Sequence, residues 1–293
     1  MGPGVALAAL RRLPRGVRAV LVGERSVWVR AGWRPGSAEL RDTGLGLKVP
    51  APGRPTRDGG RLSAASFEEA LRLVARGLVG GVVTEPVSKE GWALAGYPWT
   101  DHTDRLAALA GAGGAHMMLG VPSKELWCVL VTRHIPLKDV PRALTAREVA
   151  AAAARLDEAL RLLGRRRPRL ALCGLNPHAG ESGLLGGEER RVLLPAVAAV
   201  RREGLSLDGP LPADSAWRLH AEGAYDGLVC LYHDQALIPL KALGGLSGVN
   251  WTVGLPFTRT SPAHGTAYDA AAAGKSDASA FAEASLLACR LLV

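Results

Sequence analysis

Short apolar, β-rich runs alternate along this chain with amphipathic helical segments. That alternation constrains the fold more than any other feature, because it is the pattern of an α/β protein. Strands are expected at Val17–Val22, Gly81–Thr84, Leu126–Thr132, Arg169–Cys173, Leu228–Tyr232 and Val249–Val253. Two helices carry capping boxes, Ser66-x-x-Glu69 and Thr145-x-x-Glu148. A third is expected over Glu188–Glu203, kinked or broken at Pro195, and a last one over Ala278–Leu292. The Pro/Gly/Arg-rich stretch from Arg41 to Arg61 reads as an irregular surface excursion.

Composition narrows the function classes. The 293 residues carry a formal charge of +9, but Met1 to Arg61 holds 12 basic and 4 acidic residues, so nearly all of the excess is confined there. A nucleic-acid groove would spread cations along a face and interleave aromatics, whereas aromatics are 5% here, so no nucleic-acid partner is expected. No convincing charge-free apolar run of about 18 residues exists, and Arg11-Arg12 follows the first apolar run where a signal peptide would put its basic residues ahead of it. The chain therefore reads as cytoplasmic, with no membrane association. Its four cysteines, Cys128, Cys173, Cys230 and Cys289, form no C-x-x-C pair and read as buried thiols.

Polar clusters sit directly after four of the expected strands. LWCVLVT runs into Arg133-His134, RLALC into Gly174-Leu175-Asn176-Pro177-His178, LVCLY into His233-Asp234-Gln235, and GVVT into Glu85-Pro86-Val87-Ser88-Lys89. In α/β proteins the carboxyl ends of strands face the ligand crevice, so these clusters could converge. His134, His178 and His233 could then ligate a divalent metal and leave a position open; nitrogen donors favour zinc or a neighbouring transition metal over magnesium. Each could equally be a loop histidine bonded to backbone. Asp234 and Asp214 are acid/base or orienting candidates, with a plain helix N-cap the competing reading for Asp214. Lys241, Asn250 and Arg259 lie 8, 17 and 26 residues after His233 and could hold a phosphate or carboxylate, although Lys241 could simply snorkel from a helix. Asp101-His102-Thr103-Asp104 opens a helical stretch that suits either an anion or an ordinary cap. Gly274-Lys275-Ser276 lacks the first glycine of a P-loop, there is no G-x-G-x-x-G, and Gly180-x-x-Gly183-x-x-Gly186-Gly187 is only a weak anion-pocket signal.

The segments VVTEPVSK, DHTDRLA, TRHIPLKDV, CGLNPHAGESG, GPLPADSAW, YHDQALIPLK and GLPFTRTSPAHGTAYD, in that order, resemble the 4-hydroxythreonine-4-phosphate dehydrogenase family of pyridoxal phosphate biosynthesis. The resemblance implies a two-lobed α/β fold like that of isocitrate and isopropylmalate dehydrogenases, with the active site in the interlobe cleft. Residues 1–104 and 256–293 would form the first lobe, and 105–255 the second, carrying metal site and dimer interface. It implies a homodimer with shared active sites, in which at least one of His134, His178 and His233 reaches the metal from the partner. The metal would be zinc, with cobalt or magnesium as further candidates. His102, Thr103, Lys241, Asn250 and Arg259 match substrate-binding positions. His264, Gly265, Thr266, Ala267 and Asp269 match the loop that contacts NAD or NADP, which accounts for the missing Rossmann fingerprint. The implied reaction is oxidation of a phosphorylated hydroxy acid at its 3-hydroxyl, with Asp234 or Asp214 taking the proton, then decarboxylation. Relatives acting on threonate or erythronate 4-phosphate or on cyclic diols, and a non-redox phosphometabolite or acyl-transfer protein, are the competing readings.

Departures from the family pattern are local. The usual Gly-Asp-Pro-Ala-Gly-Ile-Gly-Pro-Glu opening is met only near its end by Met1-Gly2-Pro3-Gly4, so most of the family's first strand has no counterpart here, through either a true start upstream or a truncation. Asp104 stands where Glu is common, and Ala271-Ala272-Ala273 leaves NAD against NADP open.

Overall fold

The computed structural model describes residues 2–47, 53–110, 114–245, 247–265 and 277–292. The strands among them are β1 (Val20–Gly23), β2 (Glu39–Asp42), β3 (Gly81–Val83), β4 (His116–Val121), β5 (Leu126–Leu130), β6 (Arg169–Cys173), β7 (Ser206–Leu211), β8 (Gly227–Cys230), β9 (Val249–Val253) and β10 (Thr258–Pro262). The chain divides into two compact units, Met1–Gly111 with Leu255–Val293, and Ala112–Gly254. No described helix is long and apolar enough to cross a membrane.

In the first unit β1 pairs in parallel with β2, and β3 in parallel with β10. The 19-residue helix Arg57–Ala75 buries Leu62, Phe67, Leu71 and Leu73, and Phe67 and Leu71 share a core with Trp92 and Leu106. Thr56 caps this helix by accepting from the Gly59 amide at 3.0 Å. Ser66, expected as the cap, lies mid-helix and donates to the Leu62 carbonyl. The box pattern occurs there by coincidence within a helix that had already started nine residues earlier, inside the supposed surface excursion.

The second unit is built on strands in the order β9-β4-β5-β8-β6-β7. β4 is antiparallel to both β9 and β5, whereas β5, β8, β6 and β7 run parallel. β5 and β8 are buried along their whole length, as parallel strands covered on both faces must be. The helix Ala146–Leu162 packs Leu156 and Leu160 against Gly227, where an added Cβ would lie 2.9 Å from Leu160. Its expected cap holds, since Thr145 accepts from the Glu148 amide at 3.1 Å. The Glu188–Glu203 segment does not break at Pro195 but changes helix type just before it: a wide π-type turn over Glu189–Leu193 runs directly into the α-helix Leu194–Arg202, with Pro195 in its first turn. Cys128, Cys173 and Cys230 are buried and Cys289 partly so; all four are free thiols.

Four strands were not anticipated. β4 lies in the apolar run before Pro122, β2 is short and polar, β7 is interrupted by Asp208, Gly209 and Pro210, and β10 reads Thr-Arg-Thr-Ser-Pro yet is buried over four of its five residues. Val17, placed in the first expected strand, lies outside β1 and is 40% exposed.

The packing of the first unit makes one clear prediction. A Cβ on Gly60 would lie 1.8 Å from the Gly91 carbonyl oxygen, where two helices touch backbone to backbone. Gly60→Ala should gain about 1 kcal/mol of helix propensity and lose more to overpacking, about 1–3 kcal/mol or above. Chemical denaturation should show net destabilisation.

Candidate active site

Because β5, β8, β6 and β7 are parallel neighbours, the segments after their carboxyl ends emerge at one edge of the second unit. His134 follows β5, His233 and Asp234 follow β8, His178 follows β6, and Asp214 follows β7. Thr132 extends the β5–β8 pairing by one residue, its amide and hydroxyl both donating to the Leu231 carbonyl, so that the two histidine loops leave in register. The rings of His134 and His233 lie 5.6 Å apart between centroids, tilted by 50°. His233 Nδ1 is 2.6 Å from Asp234 Oδ1. A carboxylate on Nδ1 fixes the tautomer and turns Nε2 outward as a lone-pair donor.

His178 occupies a different local structure. It lies in Pro177–Gly183, where His178, Ala179, Glu181 and Ser182 all take left-handed φ between 44° and 57°. Each such residue costs roughly 1–2 kcal/mol, so the turn needs external anchoring. Buried Glu189 supplies it: Oε1 accepts from the Leu175 and Asn176 amides at 3.0 and 2.8 Å, and Oε2 from Asn176 Nδ2 at 2.9 Å. Gln235 ties this loop to the β8 loop. Its Nε2 donates to the Gly174 carbonyl at 2.7 Å and its Oε1 accepts from the Leu231 amide at 2.7 Å. Sequence reasoning missed both Glu189 and Gln235; Gln235 stood in the matching YHDQ segment and was the available signal.

Among the described residues of one chain, no group of three His, Cys, Asp or Glu side chains is arranged to hold a metal ion. The structure brings His134 and His233 together and does not assemble His178 with them in a single chain. Imidazole donors with a carboxylate behind one of them nonetheless suit a divalent transition metal. Asp214 is exposed in the first turn of helix Ala213–Ala221 and is not its N-cap, a position held by Pro212. The capping reading of Asp214 is thereby corrected. Lys241 is exposed on helix His233–Gly244, and Asn250 on β9 has a buried Oδ1 without a hydrogen-bond partner.

In the first unit His102 and Thr103 open the helix His102–Ala107, whose cap Asp101 accepts from the Thr103 and Asp104 amides at 2.8 and 3.1 Å. The His102 ring packs edge-on to Phe67 and Trp92, with centroids 4.3 and 5.1 Å away. Burial, reinforced by the Arg259 charge, holds its pKa well below the usual histidine value, so the ring is neutral at pH 7. Arg259 is 3% exposed; Nη2 donates to Thr84 Oγ1 at 2.7 Å and lies 3.4 Å from His102 Nδ1. Burial pulls its pKa down to about 10, with Asp101 opposing. It is a buried cation, and an anion from substrate would offset its desolvation. His264 Nδ1 lies 2.8 Å from the Gly265 carbonyl oxygen just beyond β10. Thr266, Ala267 and Asp269 lie outside the described residues.

A mixed α/β chain of two units, with histidines and carboxylates at the ends of parallel strands and a buried cation on β10, fits the class of two-lobed isocitrate/isopropylmalate dehydrogenase-like folds. The model of the family "Pyridoxal phosphate biosynthetic protein PdxA" matches residues 25–288, and the chain belongs to that family. It is 47% identical over 236 residues to a 4-hydroxythreonine-4-phosphate dehydrogenase of Paracoccus denitrificans, covering 78% of this chain and 73% of that one. The crystal structure of a 4-hydroxythreonine-4-phosphate dehydrogenase from Burkholderia phymatum superposes with a TM-score of 0.80 at 32% identity, covering 99% and 94% of the two chains. A terephthalate 1,2-cis-dihydrodiol dehydrogenase from Burkholderia xenovorans gives 0.66 at 27%, covering 99% and 93%.

Glu85, just after β3, was not singled out by its chemistry from sequence. Burial pushes its carboxyl up to about 7, and Oε1 has no hydrogen-bond partner. With the unfolded group titrating near 4.5, the folded state holds its proton longer. The resulting stability is present at low pH and is lost as pH rises through 4.5 to 7. Glu85→Gln should therefore be more stable than wild type at pH 8, with the difference shrinking towards pH 4.5, as read from denaturant midpoints.

Proposed function

We propose that this chain catalyses the metal-dependent, NAD(P)-linked oxidation of 4-phosphohydroxy-L-threonine at its 3-hydroxyl. The β-keto acid then loses CO2 to give 3-amino-2-oxopropyl phosphate. Family membership supports the dehydrogenase class. The observation that carries the metal-dependent reading is the His134–His233 pair at the ends of adjacent parallel strands, with Asp234 on His233 Nδ1.

When bound, a divalent metal supplies Lewis acidity that lowers the hydroxyl pKa, and the oxidised nicotinamide supplies the hydride acceptor. His134, His178 and His233 hold the metal, at least one of them from the second copy in a homodimer, which accounts for the absence of a three-ligand group among the described residues of one chain. Zinc suits this donor set best, with cobalt or magnesium as alternatives. Asp234 keeps the His233 ring in one tautomer, and Asp234 or Asp214, both exposed, accepts the hydroxyl proton. Neutral His102 offers a lone pair or an N–H to the substrate without adding charge. Arg259 and Lys241 provide cations for the phosphate and carboxylate, and Thr103 and the unpartnered Asn250 Oδ1 provide orienting hydrogen bonds. His264, Gly265, Thr266, Ala267 and Asp269 contact the nicotinamide cofactor. The enzyme works in the cytoplasm on a small phosphorylated hydroxy acid, with no nucleic-acid or membrane partner.

The test is NAD(P) reduction with 4-phosphohydroxythreonine and, in parallel, phosphothreonate, each with and without chelator. The proposal expects chelator-sensitive reduction with the first substrate and at least tenfold lower kcat/KM with the second. The reverse preference would reassign the substrate, and no metal-dependent reduction with either would overturn the function. His233→Ala should lower kcat at least a hundredfold, and Asp234→Asn should lower it while leaving the fold intact by circular dichroism.

A further inference from the structure

The end of the second unit's sheet where β4 begins gathers basic side chains that belong to no part of the candidate active site. His116 is the first residue of β4 and lies opposite Val253, the last of β9; antiparallel β5 runs up beside β4 and ends three residues before Arg133. By strand alternation His116 shares a face of the sheet with Met118, and Met118 pairs with Val129, which pairs with Val229. Helix Ala146–Leu162 covers that face, since Gly227, two residues before Val229, meets its Leu156 and Leu160. The helix also brings Arg155 to this end of the sheet: a Cβ on Gly254, directly after β9, would lie 3.3 Å from Arg155 Nε and 2.3 Å from the Gly114 carbonyl oxygen.

Two of these side chains hold buried nitrogens with nothing to bond. His116 is 8% exposed and its Nδ1 has no hydrogen-bond partner; Arg133 Nη1 is buried and has none either. Buried polar atoms without partners are few in native proteins, because each forfeits its hydration for no return. Burial lowers the His116 pKa, Glu148 opposes it, and Arg155 and Arg133 reinforce it, with the Gly114 backbone opposing, so these groups all lie within electrostatic reach of the ring. The carboxylates nearby are engaged elsewhere: Glu158 Oε2 accepts from Arg155 Nη1 at 2.7 Å, and Glu148 Oε1 accepts from Arg147 Nη2 at 3.3 Å. The result is a buried imidazole and an orphaned guanidinium nitrogen in one basic environment, with no acceptor supplied by the protein.

We propose that His116, Arg133 and Arg155 form a binding site for a phosphate group, separate from the substrate site. Donors on three separate elements, a strand, the segment after another strand and a helix, surround a tetrahedral oxyanion more readily than a flat carboxylate. A phosphate that still carries a proton also matches Nδ1 in either tautomer, since its P–OH donates to a lone pair and its other oxygens accept from an N–H. Arg133 supplies a charge-assisted bond through the nitrogen that is otherwise unused. The site is independent of the metal and of the nicotinamide chemistry.

Equilibrium dialysis of the full chain against radiolabelled inorganic phosphate, with ionic strength held constant by chloride, tests the site. Lys241→Met removes a cation offered to the substrate's phosphate, and the saturable phosphate at the new site should survive it. In that background Arg133→Gln and His116→Val should each weaken phosphate binding at least tenfold. The two substitutions act from different elements, so if circular dichroism shows that one fails to fold, the other decides. Glycerol 3-phosphate competing as well as unlabelled phosphate identifies a phosphate monoester as the occupant, and competition by inorganic phosphate alone identifies the free ion. No saturable phosphate in the Lys241→Met protein, or binding that either folded substitution leaves unchanged, would overturn the assignment.

Discussion

The site in the second unit depends on one side-chain amide. Gln235 bonds the backbone after β6 through Nε2 and the backbone after β8 through Oε1, and its own carbonyl accepts from Trp217 Nε1 at 2.8 Å. Buried polar groups left unpaired cost about 1–3 kcal/mol each, so Leu231 and Gly174 hold each other in place through it. The loop carrying His233 and the loop carrying His178 are therefore not independently positioned. Glu189 does the same for the left-handed turn around His178, fixing its entry at Leu175 and Asn176 where the short i→i+3 bonds of the turn hold four non-glycine residues at positive φ.

The first unit solves the opposite problem. Its functional groups are buried and polar, and they are held in ways that keep their charge states distinct. Arg259 remains a cation at neutral pH despite burial, while His102, against two aromatic rings and beside that cation, is neutral. Asp101 links them: it caps the helix that begins at His102, pairs with Lys89 at 3.1 Å and favours the Arg259 charge. The pair thus presents one buried positive charge beside one neutral ring.

Much of the fold was legible because strands buried on both faces are largely apolar runs: β5, β6, β8 and β9 were read within two residues of their observed ends. β10 was invisible for a functional reason. Its Thr258, Arg259, Thr260 and Ser261 look like loop residues, yet Arg259 lines the candidate site and Thr260 Oγ1 is satisfied by the Ala284 carbonyl. Polar strands of this kind escape hydrophobic patterning because their burial is compensated by partners distant in sequence. The histidines were findable from their shared position after strands, and Gln235 was visible beside His233 and Asp234 although its role exists only once two loops are adjacent; Glu189 left no signal at all. Two arginines of the basic N-terminal stretch pair with acidic groups outside it in the same unit, Arg12 with Glu283 and Arg41 with Glu69.

The central claim is that His134 and His233 are metal ligands rather than loop histidines that happen to be neighbours. Equilibrium dialysis of the purified protein against zinc, with metal content per chain read by atomic spectroscopy, tests it without reference to any substrate. The account predicts one tightly bound ion per chain, lost in both His134→Ala and His233→Ala while the fold is kept. Stoichiometric binding that survives both substitutions, or no binding by the intact protein, would contradict it.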